Sequence, residues 1–275
     1  MSSAATEPRP AAAWLRRLAP SHALWQGPDG LWDFGPLPGW RPWRPTAAPD
    51  GPARHHASFD AWCQAHPGQG CQLLLSAWLL HELLLDPGLP LADDTARLRY
   101  ARGLLQHYHG DAAAQWPLAA WQAGGRRGVS ALHALHLPAL QASARRAGVA
   151  LRTVRPWWSL ALAAAQQQLP ALATADSARL LVVDGLLVTQ IDLARGGLQQ
   201  LQQRRLATAC PAGLQALQAA LPPVACCAAT GHGLQQPWPV DPAHAPSGIQ
   251  ALGSLQGAAP AALWHAASAT TALAA

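Results

Sequence analysis

Apolar positions along this chain switch between a period of two and a period near three and a half, and each switch marks an element. Cys71–Ser76 and Leu79–Leu85 are apolar runs across a tight break, which predicts adjacent buried strands. Pro87-Gly88-Leu89-Pro90 ends them. Asp93 and Asp94 then stand where an N-cap and a first-turn acid belong, and Leu98, Ala101, Leu105 and Tyr108 form a helical stripe closed by Gly110. Trp116–Ala123 and Val129–Leu135 flank Gly124-Gly125-Arg126-Arg127-Gly128, a hairpin with a long glycine-rich loop. Leu137, Leu140, Ala144 and Ala147 repeat the helical stripe, with Arg145 and Arg146 in the last turn and Gly148 beyond it. A strand at Ala150–Arg155 stops at Pro156, and Trp158, Leu162, Ala165 and Leu169 mark a helix before Pro170. Strands follow at Leu180–Asp184, Leu186–Leu193 and Leu198–Leu206, then a helix from Pro211 to about Leu221.

The flanks read differently. Leu24-Trp25-Gln26 and Leu31-Trp32 surround Pro28-Asp29-Gly30, a turn signal that predicts a hairpin, followed by an irregular segment through Trp40 and Trp43. Ser58 is placed to cap a short helix to Ala65. Past residue 222 the chain becomes rich in Pro, Gly and Ala. The expected division is a Trp/Pro-rich segment at 1–55, an α/β core at 56–222 and a tail at 223–275. The order β-β-α-β-β-α-β-α-β-β-β implies a mixed α/β class, and no internal repeat of fixed period stands out.

Composition narrows the chemistry. Half of the 275 residues are apolar and 12% are charged, which suits a packed domain rather than a disordered chain. Lys and Asn are absent, so all nineteen positive charges are Arg. A P-loop needs its Lys at the phosphates and a Schiff base needs a Lys amine, so both chemistries are excluded. The net charge of +5 invites nucleic acid, yet the Arg pairs are scattered rather than gathered on one face; an acidic protein or an anionic membrane surface suits them equally. The N-terminus lacks a signal-peptide pattern, and no run of apolar residues is long enough to span a bilayer. Five Cys without CxxC spacing read as reduced thiols, and the expected location is cytoplasmic.

Candidate sites are few. His81-Glu82-Leu83-Leu84-Leu85 begins like a zincin helix, but Leu85 occupies the place of the second His. His107/His109 and His133/His136 are close pairs with no Cys or carboxylate at matching spacing, so no metal site is expected. Arg126 and Arg127 in their glycine-rich loop form a candidate anion cradle, against a plain hairpin turn. Asp184-Gly185, with Thr189 beyond, is similar to the Asp-x-Gly phosphate loop of actin-like and sugar-kinase ATPases, but the spacer residue is missing. Trp32, Trp40 and Trp43 serve either as a cover for the core edge or as a docking arm. No Gly-x-Ser-x-Gly or other nucleophile motif occurs, so no catalytic residue is assigned.

Several of these segments, taken in order, resemble a known family. They are Leu73–His81, Leu89-Pro90 leading to Asp93-Asp94, Tyr100-Ala101-Arg102, Tyr108-His109-Gly110, Ala131-Leu132-His133, Leu151–Pro156, and Leu180–Leu206 ending in Gln203-Arg204-Arg205-Leu206. The pattern is similar to the actin-like cytoplasmic components of type IV pilus and type II secretion assembly platforms, the pilus M-type and secretion L-type proteins. The resemblance implies a degenerate actin-like, ribonuclease H-like domain at the inner face of the inner membrane. It implies a non-enzymatic scaffold that binds an inner-membrane assembly-platform protein and needs no cofactor. Two other readings remain open: an actin-like ATPase holding Mg-ATP near Asp184, Gly185 and Thr189, and an anion or nucleic-acid binder using Arg126 and Arg127.

Overall fold

The computed structural model describes residues 21–36, 53–239 and 248–260, which fall into two compact units. The first takes the described residues up to Leu74 together with His136–Arg155; the second takes Leu75–Leu135 and the described residues from Pro156 on.

The first unit opens with β1 (Ser21–Gly27) and β2 (Gly30–Pro36), antiparallel across the expected Pro28-Asp29 turn. β3 (Arg54–His56) pairs with β2, and α1 (Phe59–Ala65) follows, capped by Ser58, whose Oγ accepts from the Ala61 amide at 3.1 Å. β4 (Gly70–Leu75) lies against β1, and α3 (Leu137–Arg146) leads into β8 (Ala150–Pro156) at the edge, giving the order β3-β2-β1-β4-β8. Between the two stretches of this unit the chain enters the second, which supplies β5 to β7 and α2.

In the second unit, β5 (Leu80–Leu84), β6 (Leu118–Ala123) and β7 (Arg126–Leu132) form a three-stranded sheet in the order β5-β7-β6. α2 (Asp94–His109) covers it: Ala101 packs with Leu85 and Val129, and Leu105 with Ala113 and Ala131. Asp93 caps the helix and Gly110 ends it at φ 69°, as the sequence predicts. α4 (Trp157–Gln168) and the short α5 (Ala171–Thr174) precede a second sheet. That sheet holds β9 (Ala178–Asp184), β10 (Leu187–Ala194), β11 (Gly197–Arg205), β12 (Cys226–His232) and β13 (Gln250–Ala251), with α6 (Pro211–Ala219) joining β11 to β12. β9, β10 and β11 are an antiparallel meander, and β12 and β13 add parallel to β9, giving β11-β10-β9-β12-β13.

The two five-stranded sheets therefore share one strand order, a meander whose first strand takes a fourth and then a fifth neighbour on its other side. A helix sits between the third and fourth strands each time, α1 in one and α6 in the other. The sequence shows no repeat because strand order depends on pairing, not on side-chain identity.

The mixed α/β class stands, while several local expectations change. The expected boundary at 55/56 falls inside β3, and the one at 222/223 separates β12 from its sheet partner β9. β12 escaped notice because Ala228, Ala229, Thr230 and Gly231 carry little hydrophobic signal; small side chains suit a buried strand with neighbours on both edges. Cys71–Ser76 and Leu79–Leu85 are not neighbours: a 3₁₀ turn at Ala77–Leu79 sends the chain from β4 into a different sheet, where β5 pairs with β7. Tyr108 leaves its helical stripe and is 71% exposed. Ten residues at about 100° each place it roughly 80° around the helix from Leu98. Trp40 and Trp43 lie outside the described residues.

Gly231 sits in β12 at φ 126°, and a Cβ there would come within 2.0 Å of the Val183 carbonyl oxygen. Gly185 has φ 61° but open space around the same position. Gly231→Ala should destabilise the second unit by about 3 kcal/mol or more, and Gly185→Ala by about 1 kcal/mol, measured by urea unfolding. Equal losses would mean that the backbone approach of β12 to β9 is looser than described.

Candidate functional site

The Asp184-Gly185 turn joins β9 to β10, and its surroundings are built almost entirely by the chain itself. Asp184 is 3% exposed. Its Oδ2 accepts from Ser76 Oγ at 2.5 Å and from the Ala77 amide at 3.0 Å, and its Oδ1 lies 3.2 Å from His232 Nε2. The Asp184 carbonyl accepts from Trp78 Nε1 at 2.9 Å, and the Arg205 guanidinium sits 5.7 Å from the Trp78 ring centroid. Gln203 Nε2 donates to the carbonyls of Ala77 and Leu80, so β11 holds the 3₁₀ turn from the other side. The Gly185 amide donates to the His232 carbonyl at 3.1 Å. Thr189 is buried in the middle of β10, opposite Val182 and Gln203. Both carboxylate oxygens of Asp184 are thus engaged by groups 48 to 108 residues away in sequence, which ties the turn down.

Arg126 and Arg127 are not in a loop. They begin β7 in register with Ala123 and Gln122, and the turn is only Gly124-Gly125, with φ 51° and 77°. Two successive positive φ values make the tight hairpin turn that glycine allows. Arg126 donates to the carbonyls of Gln199 and Leu85 at 3.3 and 3.4 Å. With Arg97, Arg127 and Asp86 it lines a cleft of about 200 Å³. Arg97 is itself paired with Asp94. Trp32 stands in β2 opposite Trp25, half-buried, with its ring edge-on to His55 at 4.9 Å.

His107/His109 and His133/His136 do not converge as pairs. His81, His109 and His133 instead stack face to face beside Trp116, with centroids of 4.4 and 4.3 Å from His81. Burial, with His133 and His109 adjacent, pulls the His81 imidazole down to about 4. The segment His81–Leu85 is strand β5 with its end, not a zincin helix. Its Glu82 is a feature that spacing did not reveal. The carboxylate accepts from Trp158 Nε1 at 3.0 Å, Trp121 Nε1 at 3.2 Å and Ser130 Oγ at 2.7 Å. The one available signal was an acid set in the middle of an apolar strand. Burial pushes Glu82 up to about 7, against the three donors that pull the other way. Cys63, Cys71 and Cys227 are pushed up to about 11, 12 and 12 by burial, which removes thiolate character at neutral pH.

No family model matches the chain, and no curated protein matches it in sequence. Among solved structures it is similar to the cytoplasmic domain of EpsL, an inner membrane component of the type II secretion system of Vibrio cholerae. That likeness has a TM-score of 0.50 at 12% identity and covers 94% of this chain and 96% of that one. A Bacteroides thetaiotaomicron protein described as having an actin-like ATPase fold matches at TM-score 0.44 and 6% identity, over 71% of this chain and 73% of that one. A chain of the PilM-PilN type IV pilus biogenesis complex matches at TM-score 0.44 and 15% identity, over 69% and 62%. The fold is that of the EpsL cytoplasmic domain.

Two predictions follow from the buried acids. Asp184→Ala strands Ser76 and the Ala77 amide without their acceptor, and should cost about 3 kcal/mol in thermal or urea unfolding; an unchanged midpoint would remove the turn's structural role. Glu82 binds its proton more tightly folded than unfolded. Its contribution is therefore complete below pH 4.5 and is lost as pH rises through about 7. Stability should fall by about 3 kcal/mol across that interval, a slope that Glu82→Gln flattens.

Proposed function

We propose that this chain is a non-enzymatic cytoplasmic scaffold of a type II secretion-like or type IV pilus-like assembly machine, binding an inner-membrane partner. The observation that carries the reading is the likeness, over nearly the full length of both chains, to the cytoplasmic domain of an inner-membrane secretion component. The state of the β9–β10 turn supports it further. A phosphate loop must keep its acid and its amides open toward a ligand, whereas Asp184 Oδ2 accepts from Ser76 and the Ala77 amide, Oδ1 lies against His232, and the Gly185 amide donates to the His232 carbonyl. No helix among the described residues is long and apolar enough to cross a membrane, which suits a component recruited by a membrane-anchored partner.

The test is affinity purification of the tagged full chain from a solubilised inner-membrane fraction. A stoichiometric single-span assembly protein is expected to co-purify; a clean monomer with no membrane partner overturns the proposal. Calorimetric titration with Mg-ATP should give no saturable heat. Saturable binding that is lost in Asp184→Ala would favour the ATPase reading instead.

A further inference from the structure

The first unit gathers a second acid–histidine constellation that no sequence spacing announces. Asp33 on β2 is 4% exposed, and His22 on β1 brings its Nδ1 to 3.0 Å from both carboxylate oxygens. His66, the residue that ends α1, places its Nε2 3.9 Å from Asp33 Oδ2. One donor atom from each of the three lies within 4.8 Å of the others. We propose that His22, Asp33 and His66 form a binding site for a single divalent transition-metal ion, Zn²⁺ by the chemistry of its donors.

The donor set is two imidazole nitrogens and one carboxylate oxygen, which suits zinc and its neighbours and does not suit the all-oxygen preference of Mg²⁺ or Ca²⁺. A tetrahedral ion at about 2.1 Å from each donor keeps the donors roughly 3.4 Å apart; the two nitrogen–carboxylate separations of 3.0 and 3.9 Å bracket that spacing, and the two nitrogens lie within 4.8 Å of each other. The surrounding bonds orient the ligands as metal sites require. His66 Nδ1 lies 2.9 Å from the Trp62 carbonyl, a contact that holds the proton on Nδ1 and turns the Nε2 lone pair toward Asp33. Trp62 Nε1 donates to Asp33 Oδ2 at 2.9 Å and the Gly35 amide donates to Oδ1 at 2.7 Å, fixing the carboxylate.

The rings around this acid form one aromatic wall. Trp62 stacks on His66 at 4.7 Å, and His22 meets both at 5.4 and 5.1 Å. His56 stands beside His66 at 5.8 Å, its Nε2 buried with no hydrogen-bond partner, so one more nitrogen donor borders the cluster. His22 and His66 keep side-chain exposures of 13% and 22%, which leaves a route for the ion and a water in the fourth position. When Nδ1 of His22 binds metal, its proton moves through water to Nε2, so the imidazole stays neutral. The ion would tie β1, β2 and the end of α1 together, so its effect is on stability rather than on any reaction.

The experiment is calorimetric titration of Zn²⁺ into the chelator-stripped full chain, with thermal unfolding and a parallel Co²⁺ absorption spectrum. One saturable site, a raised unfolding midpoint and visible d–d bands of tetrahedral intensity are expected. His66→Gln and His22→Gln should each weaken Zn²⁺ binding at least 10- to 100-fold. Absence of a saturable site in the parent, octahedral Co²⁺ bands, or variants binding within two-fold of the parent would each overturn the site. If His66→Gln fails to fold, the parent's Co²⁺ spectrum still decides.

Discussion

Complete burial of β9 is the constraint from which the second unit is built. All seven residues of Ala178–Asp184 are buried, so both faces and both edges of the strand must be covered by other chain segments. β10 and β12 take the edges; Leu181 and Val183 face a core with Leu214, Ala229 and Ile249. Arg179 is 1% exposed, and such a charge is tolerated only with full pairing. Its Nε and Nη2 meet the two oxygens of Asp192 at 2.7 and 3.1 Å, while Nη1 donates to Gln218 and to the Pro222 carbonyl. That single side chain ties β9 to β10 and to the end of α6.

At the other end of the same strand, Asp184 has a matching task. A strand buried on every side must turn somewhere, and the turn leaves polar groups that need partners. Ser76, Ala77, Trp78 and His232 provide them. Asp184 Oδ2 and the Gly185 amide are both bonded within the chain.

Tryptophan is the recurrent donor. In a chain without Lys or Asn, Trp62 serves Asp33, Trp121 and Trp158 serve Glu82, and Trp78 serves the Asp184 carbonyl. An indole can fill core volume and still carry one N–H, so each ring both excludes water from an acid and satisfies it. The cost of burying a carboxylate is met without a cation, and the resulting pKa depends on how many further donors arrive. Asp33, with His22 and Gly35 added, stays low; Glu82 does not.

Local signals were enough to locate most elements. The Pro28-Asp29 turn, the caps at Ser58 and Asp93, the glycine at 110 and the run at 180–183 each act within a few residues, so their chemistry is legible in order along the chain. Strand pairing is not local, which is why β4 and β5 read as neighbours although they enter different sheets, and why the shared order of the two five-stranded sheets was invisible. Arg126 and Arg127 read as a loop because Gly124 and Gly125 alone complete the turn, which only the register reveals. The acids carry the same lesson. Asp184 was legible as a strand-end turn residue, but its partners Ser76 and His232 are brought to it by the fold. Asp33 carried no signal at all, because its companions stand at 22 on β1 and at 62 and 66 in and at the end of α1. A sequence determines which residues bend, cap and bury; which acid meets which histidine is decided only when the strands pair and the helices close over them.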